Sequence, residues 1–414
     1  MALPPVVLGR RPIPVDGVWG PARSWFGGRP SLGAVPWPQD ETGLPMEFAA
    51  QIHFGELAAA DFPGLPASGA IAAFLGRMDS RGQAGCLRMV ADKDLGRPTN
   101  PPADKPPVSA FLYDDDGEIV DADAKCFPYW PLDVHVVPKA LGANQRELRS
   151  AALRQIGVDD TPSKNKAPQT VCWHSAMLYL ADLRRMQDNA GRTLRFHDEE
   201  TARNEGIMAE LRANAAAETE ELGAPSERVS KLIADMELYL ARSRKARGER
   251  VDQIAALPGR IREIASWIGG HDAWSTMTDA DRDRFRASVR EDFRAFRLVS
   301  NRVHLWSDDY VRRTERTMAT GGQRSRAALP PTVRARLSGP ERLPGDGLHQ
   351  MFGTGVAIQN ASEMHGGKVM VLQLVYDMWM GWRFGDVGAF QFWLSPEDFR
   401  ASRFDAAHVT FECS

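Results

Sequence analysis

Among the nine histidines of this chain, His349 has the most chemical promise. Asp386 follows it in a glycine-flanked stretch, and the two meeting across a sheet could form a general base with its orienting carboxylate. The simpler reading is a buried, hydrogen-bonded pair that ties two turns together, because buried polar groups must be satisfied. No serine or cysteine stands in a G-x-S-x-G elbow, which weakens the enzyme reading. The tract Asp114-Asp115-Asp116-Gly117-Glu118 with Asp123 partly resembles a calcium loop. Aligning Gly117 with the sixth position puts Leu112 first, where a carboxylate ligand is required, so turn chemistry explains the tract better. Gly353-Thr354-Gly355 and Gly366-Gly367-Lys368 lack the spacing of a phosphate loop. The other histidines show no paired ligand spacing, and the four cysteines (Cys86, Cys126, Cys172, Cys413) form no CxxC. No metal and no cofactor is therefore expected.

Two further clusters bear on binding. Arg242-Ser243-Arg244-Lys245-Ala246-Arg247-Gly248-Glu249-Arg250 is a basic run. It could neutralise phosphates, but no aromatics are interleaved for base stacking, so cations closing a helix C-terminus explain it better. Met378-Trp379-Met380-Gly381-Trp382 is dense in tryptophan and methionine. Most of it should be core; if exposed, Trp379 and Trp382 would make a partner-binding hot spot.

These residues must be positioned by elements of two kinds. The ends of the chain read as strands and turns: residues 45–52, 69–75, 368–375, 389–394 and 408–413, with a hairpin over 110–120. In its first half, the run Ala389–Leu394 alternates like a half-buried strand. The middle reads as helices. One covers 199–222 and is stopped by Gly223 and Pro225; the next presents Val229, Leu232, Ile233, Met236, Tyr239 and Leu240 on one face. Pro258 opens another helix, and Thr278 with Asp281 starts a fourth through a capping box.

Charge follows the same division. The 414 residues carry 51 Lys+Arg and 54 Asp+Glu, a net charge of −3, so no field over the whole chain recruits nucleic acid or anionic lipid. Residues 1–138 carry 11 basic and 17 acidic side chains, 139–340 carry 35 and 28, and 341–414 carry 5 and 9. This shift places domain boundaries at 138/139 and 340/341. An α+β fold is expected: a β-rich domain assembled from 1–138 and 341–414, interrupted by an α-helical insert over 139–340. No run reaches the roughly 18 apolar residues of a membrane span, and the opening Met1–Arg11 has no long apolar region of a signal peptide. The cytoplasm is the expected compartment.

Several short matches at the two ends carry a family likeness. They include Ser24-Trp25-Phe26-Gly27-Gly28-Arg29-Pro30, Pro45–Ile52, His349-Gln350-Met351-Phe352-Gly353, Val371-Leu372-Gln373-Leu374, Phe384-Gly385-Asp386-Val387-Gly388 and Phe392-Trp393-Leu394. In this order they resemble the YwqG-like family of bacterial proteins, over roughly residues 20–138 and 341–414. The resemblance implies a β-rich intracellular protein without established activity, and points to toxin-neutralising, immunity-type roles. In the family pattern His349 precedes Gln359, and Asp386 lies in the later loop. Val387 stands where many relatives carry glycine, and Phe384 where they often carry tryptophan. The function expected is therefore non-enzymatic binding of a protein partner such as a toxin, with His349, Gln359, Trp379, Trp382 and Asp386 as candidate binding residues. The alternative is a hydrolase or transferase using His349 and Asp386.

Overall fold

In the computed structural model, the described residues are 3–57, 62–79, 82–108, 124–138, 144–158, 170–299, 307–345, 347–359 and 364–413. The hairpin expected at 110–120, with its acidic tract, lies outside them. The chain divides into a β unit, Met1–Pro168 with Glu315–Ser414, and a helical unit, Gln169–Thr314.

The β unit is one antiparallel sheet. Its strands are β1 (Val6–Arg10), β2 (Trp25–Phe26), β3 (Glu47–His53), β4 (Ala70–Asp79), β5 (Gly82–Val90), β6 (Trp130–Val136), β7 (Gln350–Met351), β8 (Val369–Val375), β9 (Ala389–Leu394) and β10 (His408–Glu412). The order is β10-β9-β8-β7-β1-β6-β2-β3-β4-β5. The two ends of the chain join where β1 meets β7, with Val6 opposite Met351 and Val7 opposite Gln350. The outermost strands approach each other: a Cβ built on Gly85 of β5 would lie 3.0 Å from Val409 of β10. The sheet therefore nearly closes into a barrel, which leaves little unpaired edge. This is the α+β architecture expected from sequence, with strands from both ends and a long helical insertion between them.

Burial departs from the expectation for single strands. All six residues of β9 are buried, so it is covered on both faces and is not half-buried. Elsewhere on the sheet, beside β1 and β6, helix α1 (Gln145–Gln155) packs Leu148, Ala151, Ala152 and Leu153 against Val7, Val137, Leu343 and Leu348. Through this packing α1 belongs to the β unit, although its composition had grouped it with the insert. The helices α6 (Gln323–Ala327) and α7 (Pro331–Ser338) also lie within the β unit, which extends past the 138/139 and 340/341 boundaries inferred from charge.

The helical unit is built on α2 (Trp173–Leu222), α3 (Glu227–Ile268) and α4 (Asp279–Ala295), and ends within α5 (Ser307–Thr320). Gly223, at φ 81°, closes α2 in the left-handed conformation that glycine adopts without strain, and Ser226 caps α3. The capping box is present: Thr278 Oγ1 accepts from the Asp281 N–H at 3.2 Å. Two expectations fail. Pro258 lies inside α3 instead of opening a helix, at the cost of one helical hydrogen bond. Of the six residues placed on one apolar face of α3, Leu240 is buried, whereas Leu232 and Tyr239 are exposed. The core of the unit lies nearer its base, where Tyr179, Phe285 and Tyr310 pack edge to face among Leu183, Leu257 and Ile264.

Candidate functional site

His349 precedes β7, and its position is over-determined. Its own carbonyl accepts from Leu8 N–H at 2.9 Å, and its Nδ1 accepts from Val375 N–H at 3.2 Å. Accepting at Nδ1 puts the ring proton on Nε2, which lies 3.1 Å from Asp377 Oδ2 and donates to it. Its carboxylate partner is thus Asp377, not Asp386. The same Asp377 oxygen pairs with Arg10, whose Nη2 also donates to the Glu341 carbonyl. Asp377 Oδ1 accepts from the N–H groups of Trp379 at 2.9 Å and Met380 at 3.4 Å. Side-chain exposures of 1% for Arg10, 2% for Asp377 and 0% for His349 exclude water from this cluster.

The electrostatics follow from that burial. Desolvation, and then the nearby Arg10 charge, hold the His349 imidazole well below its ordinary value, so it is neutral. Burial also brings Arg10 down to about 9, while the direct Asp377 contact favours its charged form. A neutral imidazole with both nitrogens engaged has no lone pair for a substrate proton. The cluster ties β1 and the start of β7 to the loop after β8.

The tryptophan-methionine segment serves the same end. Asp377 and Trp382 exchange backbone hydrogen bonds of 3.0 and 2.9 Å, closing a tight loop whose Gly381 sits at φ 70°. Trp382 is fully buried, 5.2 Å from the His349 ring, 5.0 Å from Phe26 and 5.7 Å from Phe384 between ring centroids. Trp379 is buried as well, and within the loop Met378 is the exposed large side chain. The hot-spot reading of Trp379 and Trp382 is therefore corrected: their surfaces are already occupied. Gln359 and Asp386 are exposed, and among the described residues neither joins His349 by a hydrogen bond or ion pair. Val387, next to Asp386, has φ 55°, a region that β-branched side chains rarely occupy.

A polar row not anticipated from sequence crosses β7, β8, β9 and β10. Gln350 lies opposite Gln373, Gln373 opposite Gln391, and Gln391 opposite Thr410. Gln391 Nε2 donates to Gln373 Oε1 at 2.9 Å and to the Val356 carbonyl at 2.7 Å, while Val356 N–H donates to Gln373 Oε1 at 2.7 Å. The row anchors the segment after β7, and Gly355 is there because a Cβ would lie 2.6 Å from Gln391 Nε2.

The basic run of α3 is not a helix end. Arg244 and Arg247 pair with Glu205 and Asp198 of α2 at 2.9 and 2.6 Å, so two of its five cations are spent within the hairpin.

A solvent-open cleft in the β unit is the better candidate for binding. Its volume is about 1140 Å³. Among the described residues, Arg23, Arg29 and Lys125 line it against a single carboxylate, Asp92, with Trp25 and Tyr129 as its aromatic wall, ring centroids 6.2 Å apart. Gly28, at φ 66°, brings the backbone against Tyr129, where a Cβ would lie 2.9 Å from the ring. Arg29 Nη1 donates to Asn100 Oδ1 at 2.7 Å and Lys125 to the Ala103 carbonyl, whereas Arg23 has no partner among the described residues. His53 accepts from Gly55 N–H through Nδ1 at 2.9 Å and turns Nε2 toward Asp92 at 3.5 Å. Burial raises the Cys126 thiol, so the cleft holds no thiolate nucleophile. Among the described residues, the buried Trp25 indole N–H has no acceptor. These residues come from β2, the end of β3 and three loops, so only the glycine and aromatic cluster at 25–29 marked the site in the sequence. Among the described residues no group of three or more His, Cys, Asp or Glu side chains could hold a metal ion, and no helix is long and apolar enough to cross a membrane.

Fold and sites together define a nearly closed antiparallel β unit with a helical insertion, a sealed ion-pair core and an open basic cleft. The chain belongs to the DUF1963 family, a domain of unknown function, whose model matches residues 24–90 and 174–413. No curated protein matches it.

Proposed function

We propose that this protein is a non-catalytic binding protein, and that its basic cleft receives an acidic segment of a protein partner. The observation that carries the reading is the inversion of charge. Residues 1–138 hold 11 basic against 17 acidic side chains, yet among the described residues the cleft gathers three cations around one carboxylate. Such a local field steers and orients an acidic partner. At about 1140 Å³ the cleft exceeds the range of roughly 300–1,000 Å³ common for small-ligand sites, which suits a loop or chain segment. The likeness to YwqG-like bacterial proteins supports an immunity-type role, with a toxin as the partner and the cytoplasm as the compartment. The alternative hydrolase or transferase loses its residues, since His349 is sealed and pairs with Asp377 while Asp386 lies on the surface.

The test compares the wild type with an Arg23→Glu, Lys125→Glu double variant. Both are immobilised, exposed to extract of the native host, and the captured protein is then titrated by calorimetry. Affinity should fall at least about tenfold in the variant, with the melting curve unchanged. Equal affinity of both forms for the same captured protein would remove the cleft from the binding site.

A further inference from the structure

Helices α2 and α3 pair antiparallel, and toward their joined tip the contact between them is mostly polar. One flank of this hairpin is closed by three ion pairs: Asp198–Arg247 at 2.6 Å, Glu205–Arg244 at 2.9 Å and Arg212–Glu237 at 2.9 Å. The α2 members recur every seven residues and so form one stripe.

The opposite flank is left open. Helical spacing puts Phe196, Glu200 and Ile207 of α2 there, and Leu232 and Tyr239 of α3; the two helices meet on this side where Tyr239 Oη donates to Glu200 at 2.9 Å. Phe196 is 68% exposed, and Ile207, Leu232 and Tyr239 are each at least 40% exposed. Beside Leu232 and Tyr239 runs a heptad row of α3: Arg228, Asp235, Arg242, Glu249. Leu238, also exposed, borders the row on its other side. Among the described residues Arg228, Asp235 and Arg242 have no hydrogen bond or ion pair, and Glu249 has only Lys245 of its own helix, at 4.0 Å.

The signs in this row alternate, and the number of members is even. Such a row laid antiparallel on a copy of itself matches opposite charges throughout: Arg228 meets Glu249, Asp235 meets Arg242, and each contact occurs twice. The two-fold axis then passes between Leu238 and Tyr239, which brings apolar side chains to the centre. An isologous interface requires this self-complementarity of one patch. We propose that the protein pairs with a second copy through this flank, α3 against α3 in antiparallel register. The row spans roughly 32 Å at 1.5 Å per residue, and two helices are about 20 Å wide, giving roughly 600 Å² a side. That is somewhat below the ~800 Å² of a standard interface, so a reversible dimer is expected, not an obligate one.

Sedimentation velocity on the full chain, at concentrations up to about 100 µM, tests this. The wild type should show a concentration-dependent shift to two chains. Arg242→Glu or Asp235→Arg alone puts like charges at both symmetric contacts and should weaken the dimer at least about tenfold. The double variant D235R/R242E restores opposite signs and should recover affinity to within about threefold of wild type, a pattern only direct pairing of these residues produces. All four residues of the row lie on the outside of the hairpin, so the melting curves should coincide. A chain that stays monomeric, as it would if another protein occupies this flank, overturns the proposal. So does a dimer indifferent to the single swaps, or a double variant no better than either.

Discussion

Replacing Asp377 with alanine removes the acceptor for four donors at once: Arg10, His349 and the backbone N–H groups of Trp379 and Met380. The largest consequence is the Arg10 guanidinium, 1% exposed, left charged without its carboxylate. Breaking a buried ion pair from one side costs about 3–5 kcal/mol. The stranded backbone groups add to this, about 1–3 kcal/mol each where no water reaches them. Folded domains have only about 5–15 kcal/mol in total, so the variant should sit close to unfolding. His349→Ala is milder, because Asp377 keeps Arg10 and loses one of its four donors, while the Val375 N–H loses its acceptor and the space between Phe26 and Trp382 is emptied, about 2–3 kcal/mol. Urea titration followed by tryptophan fluorescence and far-ultraviolet circular dichroism measures both losses. An Asp377→Ala loss below about 1 kcal/mol, or one smaller than that of His349→Ala, would refute the structural reading of this cluster.

The same cluster sets a pH response. His349 is held well below its ordinary value, so below about pH 6.5 the unfolded chain takes up a proton that the folded one refuses. Its contribution is present above that pH and is lost as the pH falls, with a slope approaching ~1.4 kcal/mol per pH unit. His174, lowered to about 4 by burial and then by Arg313, acts in the same sense in the helical unit between its unfolded value and about 4. His349→Gln should flatten the acid limb for the β unit and leave the response of the helical unit in place.

Lys105 is buried on Glu47, Nζ lying 2.7 and 2.6 Å from the two carboxylate oxygens, so Lys105→Ala should cost about 3–5 kcal/mol in urea titration. Val387→Gly should stabilise the β unit by about 0.5–1 kcal/mol, because relief of the left-handed strain exceeds the added freedom of the unfolded chain; a lower melting temperature would contradict this. Gly355→Ala should destabilise by about 1–3 kcal/mol, since its Cβ displaces Gln391 Nε2 and breaks the row that holds Val356. EDTA should leave the melting temperature unchanged; a drop of several degrees restored by calcium or zinc would reveal a metal site.

Local signals determined much of the architecture. The apolar runs at 45–52, 69–75, 368–375 and 408–413 fall on β3, β4, β8 and β10, and Gly223 and Thr278 bound helices through caps that depend only on neighbouring residues. The joining of the two chain ends was legible because their acidic, glycine- and aromatic-rich composition differs from the middle. What the tertiary structure decided was partnership. His349 finds Asp377 because the loop after β8 folds back on itself, a choice that no spacing between His349 and Asp386 could reveal. Composition could not assign α1, since its place depends on packing with Leu343 and Leu348, nearly two hundred residues away. Helical periodicity found the face of α3 holding Leu232 and Tyr239 but not its environment, because a period marks which side chains align and only packing settles whether anything covers them. The basic cleft is the extreme case: its cations come from separate loops, and their convergence exists only in the folded chain.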